Sequence, residues 1–365
     1  MKKSLLALAV LGAYAGVASA QSSVTLYGTL DTAGRYVKTD GQQDRYSLAT
    51  DGINSSQLGI RGVEDLGGGL RAGFTLLSGI NADSGTNNTT TNNIASQSKF
   101  WNRRSTVSLF GNFGEFRMGR DYTPTFWNQT IFDAFGTNGL GSSLNVRQLY
   151  GGTRQDNSLG YFLPSILGGL YGQVMASANE GASSFDRPGR YVGGRIGFAA
   201  GPFDVAISAG QLRFGTAYPA NVVASGALPA GTVSAVAGAE DTQDTYNIGG
   251  SFDFGFFKLL GYYNEDKLRS AKEKMASISG VIPFGQAEVH LGYDRSEYNN
   301  GSVSTKLEQV KGTLQYNLSK RTAVYTTASL LDNKDGTRYA LPGSTGLASS
   351  SGKSQGIEFG LRHFF

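Results

Sequence analysis

The sequence predicts an all-β fold, a 16-stranded antiparallel transmembrane β-barrel, from three features of the 365-residue chain. Runs of roughly ten residues alternate apolar and polar side chains, which is the period of a β-strand whose two faces meet different surroundings. Short turns and long polar connections alternate between these runs. Beyond the N-terminus there is no stretch of about 18 consecutive apolar residues, which argues against membrane-spanning helices.

Residues 1–20 have the organisation of a secretory signal peptide. Lys2 and Lys3 form a basic start, residues 5–17 are mainly apolar, and residues 18–20 are small, as signal peptidase requires. The apolar run is too short to cross about 30 Å of hydrocarbon and no basic flank follows it, so a transmembrane helix is the weaker alternative. We therefore expect export of the chain, with residues 21–365 forming the barrel.

The composition excludes several functional classes. Removal of residues 1–20 lowers the formal net charge from +4 to +2, which is too small an excess for a nucleic-acid partner. The chain has no Cys, and its two histidines are His290 and His363. Disulfides and Cys-ligated metals are therefore impossible. We expect no enzyme activity, no cofactor and no metal site.

The predicted strands follow one another along the whole exported chain. In the first, Val24 and Leu26 fall on one face and Thr25 and Tyr27 on the other. Fifteen further runs show the same alternation. The strands are predicted to begin near Ser23, Ser55, Leu70, Asn102, Glu115, Gln155, Leu170, Arg190, Phe203, Gln243, Phe256, Lys272, Gln286, Ser304, Arg321 and Lys353.

The connections between the strands are of two kinds. Short ones carry Gly, Asn, Asp and Pro, which suit tight turns. The long polar ones are residues 38–54, 81–101, 123–154, 180–189, 215–242, 299–303 and 332–352. Short turns on one side, long loops on the other and an even number of strands are typical of outer-membrane barrels.

The width of such a barrel decides which face meets lipid. A barrel of eight strands can be filled by its own side chains, whereas sixteen strands enclose a tube that must hold water. The polar face is therefore expected to point inward and the apolar face outward. Aromatic residues cluster near strand ends, for example in residues 252–257, and are expected to lie at the membrane interfaces.

Five stretches of sequence carry a resemblance to a known family. They are SSVTLYGTLDTAGRY, QLGIRGVEDLGGGLRAGF, RRSTVSLFGNFGEFRMGRDYTP, DAFGTNGLGSSLN and GIEFGLRHFF, and together they span residues 22–365. With them the chain resembles the Gram-negative general porins of β-proteobacteria. The resemblance implies a homotrimer of sixteen-stranded barrels, each with its third extracellular loop folded inward as a constriction, and an anion preference found in many members.

Residues 123–146 correspond to that third loop. The segment is rich in aromatic residues and glycine, among them Phe126, Trp127 and Phe132, so we expect it to bury part of its own surface as a constriction loop. Residues 81–98 are much more polar, with an NNTTTNN run, and the resemblance implies that they latch over a neighbouring subunit.

Strand parity selects the candidate pore-lining residues. The arginines on the polar face of the early strands are Arg35, Arg61, Arg71, Arg104 and Arg117, and their candidate counter-charges are Asp31, Glu115, Asp121 and, on the third loop, Asp133. An arginine wall of this kind favours the entry of anions. The alternative is that these arginines pair locally and have no effect on selectivity.

Arg103 and Arg120 have outward parity. An arginine on the lipid face would cost about 2–4 kcal/mol at the bilayer midplane, so either both lie near an interface or the strand parity shifts at these residues. The family motif FRMGRDYTP makes Arg120 a further pore candidate, at the junction of strand and loop.

These features predict an outer-membrane general diffusion porin, a water-filled channel that passes ions and small hydrophilic solutes passively and prefers anions. The alternative is a substrate-specific channel, which needs an inward aromatic ladder, and the inward aromatics look scattered, as at Tyr27 and Tyr262. An enzyme is rejected, because His290 and Asp294 share an inward face without a third catalytic group.

The expected partners follow from the same interpretation. They are two further copies of the chain in a homotrimer, outer-membrane lipid and lipopolysaccharide, the permeating ions and small solutes, and the barrel-assembly machinery. The last would recognise the C-terminal run that ends in Phe365, in which Ile357, Phe359 and Leu361 also point outward.

Overall fold

The computed structural model describes residues 23–87, 99–149, 152–178, 190–213 and 241–365. The predicted signal peptide at residues 1–20 lies outside the described residues, as do much of residues 81–98 and the long connections 180–189 and 215–240. The described residues form one closed antiparallel sheet. It closes between the first and last strands, where Thr29 pairs with Phe364 and Thr39 with Ser354.

The strands have the following bounds. The first nine are β1 Ser23–Thr39, β2 Arg45–Thr50, β3 Gln57–Gly67, β4 Leu70–Gly79, β5 Arg104–Gly111, β6 Gly114–Tyr122, β7 Arg154–Phe162, β8 Leu170–Ser177 and β9 Arg190–Ala200. The other eight are β10 Phe203–Arg213, β11 Thr242–Asp253, β12 Lys258–Leu268, β13 Ala271–Phe284, β14 Ala287–Asn299, β15 Ser304–Asn317, β16 Thr322–Asn333 and β17 Lys353–Phe364.

Strands β2 and β3 share one position in the barrel. Residues 32–37 of β1 pair with β2, and residues 23–29 pair with β3. The intervening residues 51–56 are held by Asp31, which accepts backbone hydrogen bonds from Ile53 at 3.0 Å and Asn54 at 2.6 Å. Counted in this way, the described strands form a sixteen-stranded barrel, which confirms the predicted fold class.

The two faces of the sheet differ as the alternation predicts. Val24 on the outer face of β1 is 69% exposed, whereas Thr29 on the other face is 4% exposed. The last strand repeats the pattern, with Phe359 66% exposed and Glu358 1% exposed. The apolar face is therefore the outer one, and the polar face looks into the barrel.

Helix α1, Pro124–Ile131, begins the third long connection. Thr123 caps it by accepting a hydrogen bond from the Phe126 amide at 3.3 Å, and Pro124 occupies the first helical position. Two single 3-10 turns follow, Gly139–Gly141 and Ser143–Val146. Within the described ranges, no helix is long and apolar enough to cross a membrane.

Candidate functional site

The third long connection contacts the polar face of the sheet. The side-chain amide of Asn128 in α1 donates a hydrogen bond to the carbonyl of Ala206 in β10 at 3.1 Å. Farther along, Tyr262 of β12 donates to Ser143 at 2.7 Å, and Gln309 of β15 donates to the Leu140 carbonyl at 2.8 Å. Residues 128–143 are therefore tied to strands in the second half of the chain.

Buried charges hold the end of this connection. Glu273 accepts hydrogen bonds from the backbone amides of Gln148 at 2.7 Å and Leu149 at 2.6 Å. Beside it, Arg147 forms an ion pair with Asp266 at 2.6 Å. A carboxylate that accepts hydrogen bonds from two backbone amides fixes the backbone at this point, because charge-assisted hydrogen bonds are short and strong.

Asp133 is also held in this way. It accepts hydrogen bonds from the amides of Phe135 and Thr137 and lies 3.5 Å from Lys311 of β15. Lys311 in turn lies 2.8 Å from Asp294, and these three charged side chains are fully buried. The structure therefore places Asp133 in a buried charge cluster rather than on an open surface.

Arg35 and Asp31 lie on the polar face and have local partners. Arg35 forms an ion pair with Glu358 of β17 at 2.7 Å, and its side chain is 5% exposed. Asp31 accepts hydrogen bonds from the backbone amides of residues 52–54 and from the hydroxyl of Tyr325. Both side chains support the barrel seam and residues 51–56, as the local-pairing alternative expects.

Arg61 and Arg71 are exposed on the inner face. Parity and register agree, since Arg61 pairs with Thr25 and with Thr75. The guanidinium of Arg61 lies 5.2 Å from the ring centre of Tyr27, and that of Arg71 lies 5.5 Å from the ring of Phe110. In the described part of the chain neither arginine forms an ion pair, although Asp65 lies opposite Arg71 in the register of β3 and β4.

Arg104 and Arg117 share carboxylates. Asp121 binds Arg104 Nε at 2.7 Å and Arg117 Nη1 at 2.5 Å. Arg117 also binds Glu115 at 2.7 Å, and Glu115 accepts a hydrogen bond from Ser108. Two arginines and two carboxylates therefore compensate one another, and the predicted basic patch is less positive here than a count of arginines implies.

Arg120 has the outward parity that the strand pattern predicts, and its place among the pore residues stays a prediction. The register places it opposite Ser105, on the face that bears the exposed Met118. Its guanidinium binds Asp156 at 2.6 Å and the carbonyl of Asn102 at 2.7 Å. These partners explain how an outward arginine is tolerated, because its charge is paired.

A cavity of about 690 Å³ lies between α1 and the early strands. Its lining includes Arg104 and two arginines that sequence reasoning did not place there, Arg103 and Arg154. Both surround the Tyr122 hydroxyl, at 3.3 Å from Arg103 Nε and 3.0 Å from Arg154 Nη2. The outward parity predicted for Arg103 fails because this residue precedes β5, where the alternation begins.

Arg154 was overlooked because it ends a long connection. It is the first residue of β7 and pairs with Tyr122, the last residue of β6. An arginine directly opposite a strand-ending tyrosine, across a long loop, is a signal that could have identified it. Phe126 and Trp127 of α1 line the same cavity, and Trp127 lies 5.3 Å from the Tyr122 ring.

Comparison with known proteins gives matches across the chain. A family model described as Gram-negative porin matches residues 7–336. Outer membrane porin protein 32 of Delftia acidovorans is 36% identical and is covered completely, as is this chain. An outer membrane porin protein of Bordetella pertussis is 33% identical over 72% of this chain and 69% of its own length.

Solved structures give the same picture. The anion-selective porin from Comamonas acidovorans superposes with a TM-score of 0.79 at 32% identity, over 94% of this chain and 100% of the other. A loop-deletion mutant of OmpT, an outer membrane protein of Vibrio cholerae, superposes with a TM-score of 0.66 over 94% of this chain and 99% of its own. At 17% identity, the second match bears on the fold alone.

Proposed function

The chain belongs to the Gram-negative porin family, and from this premise we propose that it is an anion-preferring general diffusion porin of the outer membrane. Ions and small hydrophilic solutes pass through the water-filled barrel along their own gradients. The observation that carries the anion preference is the excess of arginine over acid on the inner face of the early strands. Arg103, Arg104 and Arg154 line one cavity in which Asp51 is the acidic residue among the described lining.

Residues 123–146 act as the constriction in this proposal, within a barrel domain of residues 21–365. The support is the set of hydrogen bonds that join Asn128, Leu140 and Ser143 to the polar face of β10, β12 and β15. Since these contacts lie on strands of the second half of the chain, the open passage runs beside the arginines of the first half. Residues 1–20 serve as the export signal and are removed.

The family relationship supports a homotrimer and contact with lipopolysaccharide. Charged side chains of both signs lie on the outer face near the ends of β12 and β13 that join the long loops. There Glu265 forms ion pairs with Lys267 at 3.1 Å and with Lys272 at 2.8 Å. Cations at this level of the outer face suit the phosphate groups of lipopolysaccharide. Tyr263, two residues closer to the membrane centre, is 40% exposed, as expected of an interfacial aromatic.

The proposal is tested by the reversal potential of the purified wild-type protein in a planar bilayer under a potassium chloride gradient. We expect chloride to be more permeant than potassium at about 0.1 M salt. The preference is expected to weaken at about 1 M, because the screening length falls from about 10 Å to about 3 Å. A preference for potassium at the lower salt concentration would contradict the proposal.

Phe365 is expected to act in assembly rather than in conduction. Its backbone exchanges hydrogen bonds with Gly28 at 3.0 and 3.1 Å, and its side chain is 41% exposed on the outer face. We expect deletion of Phe365 to lower the amount of protein in the outer membrane severalfold, while the channels that do assemble keep their conductance. Phe359→Ala, an outward aromatic of the same strand, is the matched control. Equal amounts of the truncated and wild-type proteins in isolated outer membranes would contradict this role.

A further inference from the structure

Arginines stacked on aromatic rings recur along the inner face of the barrel. The guanidinium-to-ring distances run from 4.1 to 5.8 Å, and the rings come from strands in the first half of the chain, from α1 and from the end of β17. The pairs are Arg61 with Tyr27, Arg71 with Phe110, Arg104 with Tyr122 and Trp127, Arg117 with Phe162, Arg154 with Tyr122, Arg195 with Tyr171, and Arg362 with Phe364. These inward rings therefore lie beside arginines.

The pairs are densest in the cavity beside α1. Phe126 and Trp127 are half-buried there, and each lies against the ring of Tyr122, at 5.5 and 5.3 Å. The ring of Tyr27 lines the same cavity from β1. The cavity thus offers an apolar surface of flat rings inside an otherwise polar channel, which is unusual for a passage that only has to hold water.

The charges of this cavity are incompletely used by the protein. The Nε atom of Arg154 is buried and has no hydrogen-bond partner among the described residues. The Nε of Arg104 donates a hydrogen bond to Asp121, and no described residue accepts a hydrogen bond from the Nη groups of Arg104. The Nη groups of Arg104 can therefore hydrogen-bond an anion that enters the cavity, and such charge-assisted bonds are short and strong.

We propose that this cavity is a transient binding site for small aromatic carboxylates, which would stack their ring on Phe126 and Trp127 and direct their carboxylate to Arg104 and Arg154. The proposal rests on the proposed anion channel and names the solutes that this channel retains longest. A carboxylate matches the guanidinium fork, and a flat ring gains contacts with the aromatic residues that an aliphatic body of equal size does not. Chloride satisfies the charge alone.

The wild-type protein gives the first test. Sodium benzoate and sodium cyclohexanecarboxylate carry the same charge and the same number of carbon atoms, but only benzoate is planar. Added to a bilayer that conducts chloride, benzoate is expected to halve the chloride current at a concentration about twofold to tenfold lower, the range of one aromatic contact. Equal half-inhibition concentrations would overturn the binding site, whereas a channel that prefers cations would overturn the proposed function.

The two tryptophans of the chain provide a matched pair of variants. Trp127 lines the cavity, whereas Trp101 lies against Phe100, a residue that is 62% exposed, at 4.7 Å. We expect Trp127→Leu to bring the half-inhibition concentration of benzoate close to that of cyclohexanecarboxylate, and Trp101→Leu to leave both unchanged.

The chloride selectivity of Trp127→Leu shows whether α1 keeps its place. An unchanged chloride selectivity together with an unchanged benzoate effect would overturn the proposal. If the variant loses its chloride selectivity, Arg154→Gln decides: it keeps every ring in the cavity and is expected to raise the half-inhibition concentrations of both carboxylates. No change for either carboxylate in Arg154→Gln would overturn the proposal.

Discussion

Replacing Arg61 and Arg71 together by glutamate is expected to shift the reversal potential from anion toward cation preference. Both side chains are exposed on the inner face and have no ion-pair partner among the described residues, so their charges act on passing ions. A unit charge about 7 Å from an ion in water contributes about 0.6 kcal/mol, close to RT. Changing two such charges by two units each is therefore expected to reduce the anion-to-cation permeability ratio severalfold at about 0.1 M salt.

The neutral variants Arg61→Gln and Arg71→Gln provide the matched control. The double glutamine variant lowers the channel charge by two units, whereas the double glutamate variant lowers it by four. The shift in reversal potential is therefore expected to be about half as large. Both shifts are expected to shrink at about 1 M salt, where screening is stronger. A reversal potential that stays at the wild-type value in the glutamate pair would assign the selectivity to Arg103 and Arg154 instead.

This choice of residues shows what the sequence could and could not predict. Strand parity placed Arg61, Arg71, Arg104 and Arg117 on one face without distinguishing them. The structure separates the four, because Asp121 and Glu115 together neutralise Arg104 and Arg117. Pairing of that kind depends on side-chain reach across neighbouring strands, which the period of a strand does not determine.

The barrel itself was predictable to within a few residues. Predicted strand starts such as Ser23, Leu70 and Phe203 coincide with the observed ones, and the others differ by one or two residues. Turn residues and a two-residue period are local properties of the chain, so one sequence contains them in full. The division of the second strand by residues 51–56 was not predictable, since it depends on hydrogen bonds to Asp31 from amides 22 and 23 residues away.

The anchors of the third connection were the least accessible to sequence reasoning. Asp133 and Lys311 are 178 residues apart in the chain, and Glu273 accepts hydrogen bonds from amides 124 and 125 residues away. Lys311 was not a candidate, because parity alone makes an inward lysine one more polar wall residue. Its role follows only from the position of residues 133–149 against β13, β14 and β15.

The surroundings of Lys311 leave little freedom for its ammonium group. The group lies 4.5 Å from the ring centre of Phe135 and between the carboxylates of Asp133 and Asp294. Gly292 makes the necessary room, because a Cβ atom there would lie 2.7 Å from Lys311 Cε and 2.9 Å from the Phe135 ring. A buried cation shared by two carboxylates, one from the connection and one from the wall, joins the two parts electrostatically.

Lys311→Met is expected to release this part of the third connection and to lower the stability of the folded channel. The substitution keeps most of the side-chain volume but leaves two buried carboxylates without their cation, a loss of about 3–5 kcal/mol. Single-channel records are expected to show larger fluctuations of the open current, and thermal unfolding is expected at a lower temperature. Lys306→Met, on the outer face of the same strand, is the control and is expected to behave as the wild type.

Neutralising the whole cluster separates charge from packing. In the triple variant Asp133→Asn, Lys311→Met, Asp294→Asn no charge of the cluster remains buried, so most of the lost stability and the steady open current are expected to return. Rescue would show that the unpaired carboxylates, rather than the missing lysine, disturb the connection. If Lys311→Met alone conducts as steadily and unfolds at the same temperature as the wild type, Lys311 is not an anchor, and Glu273 with its two amide bonds must hold residues 133–149 in place without it.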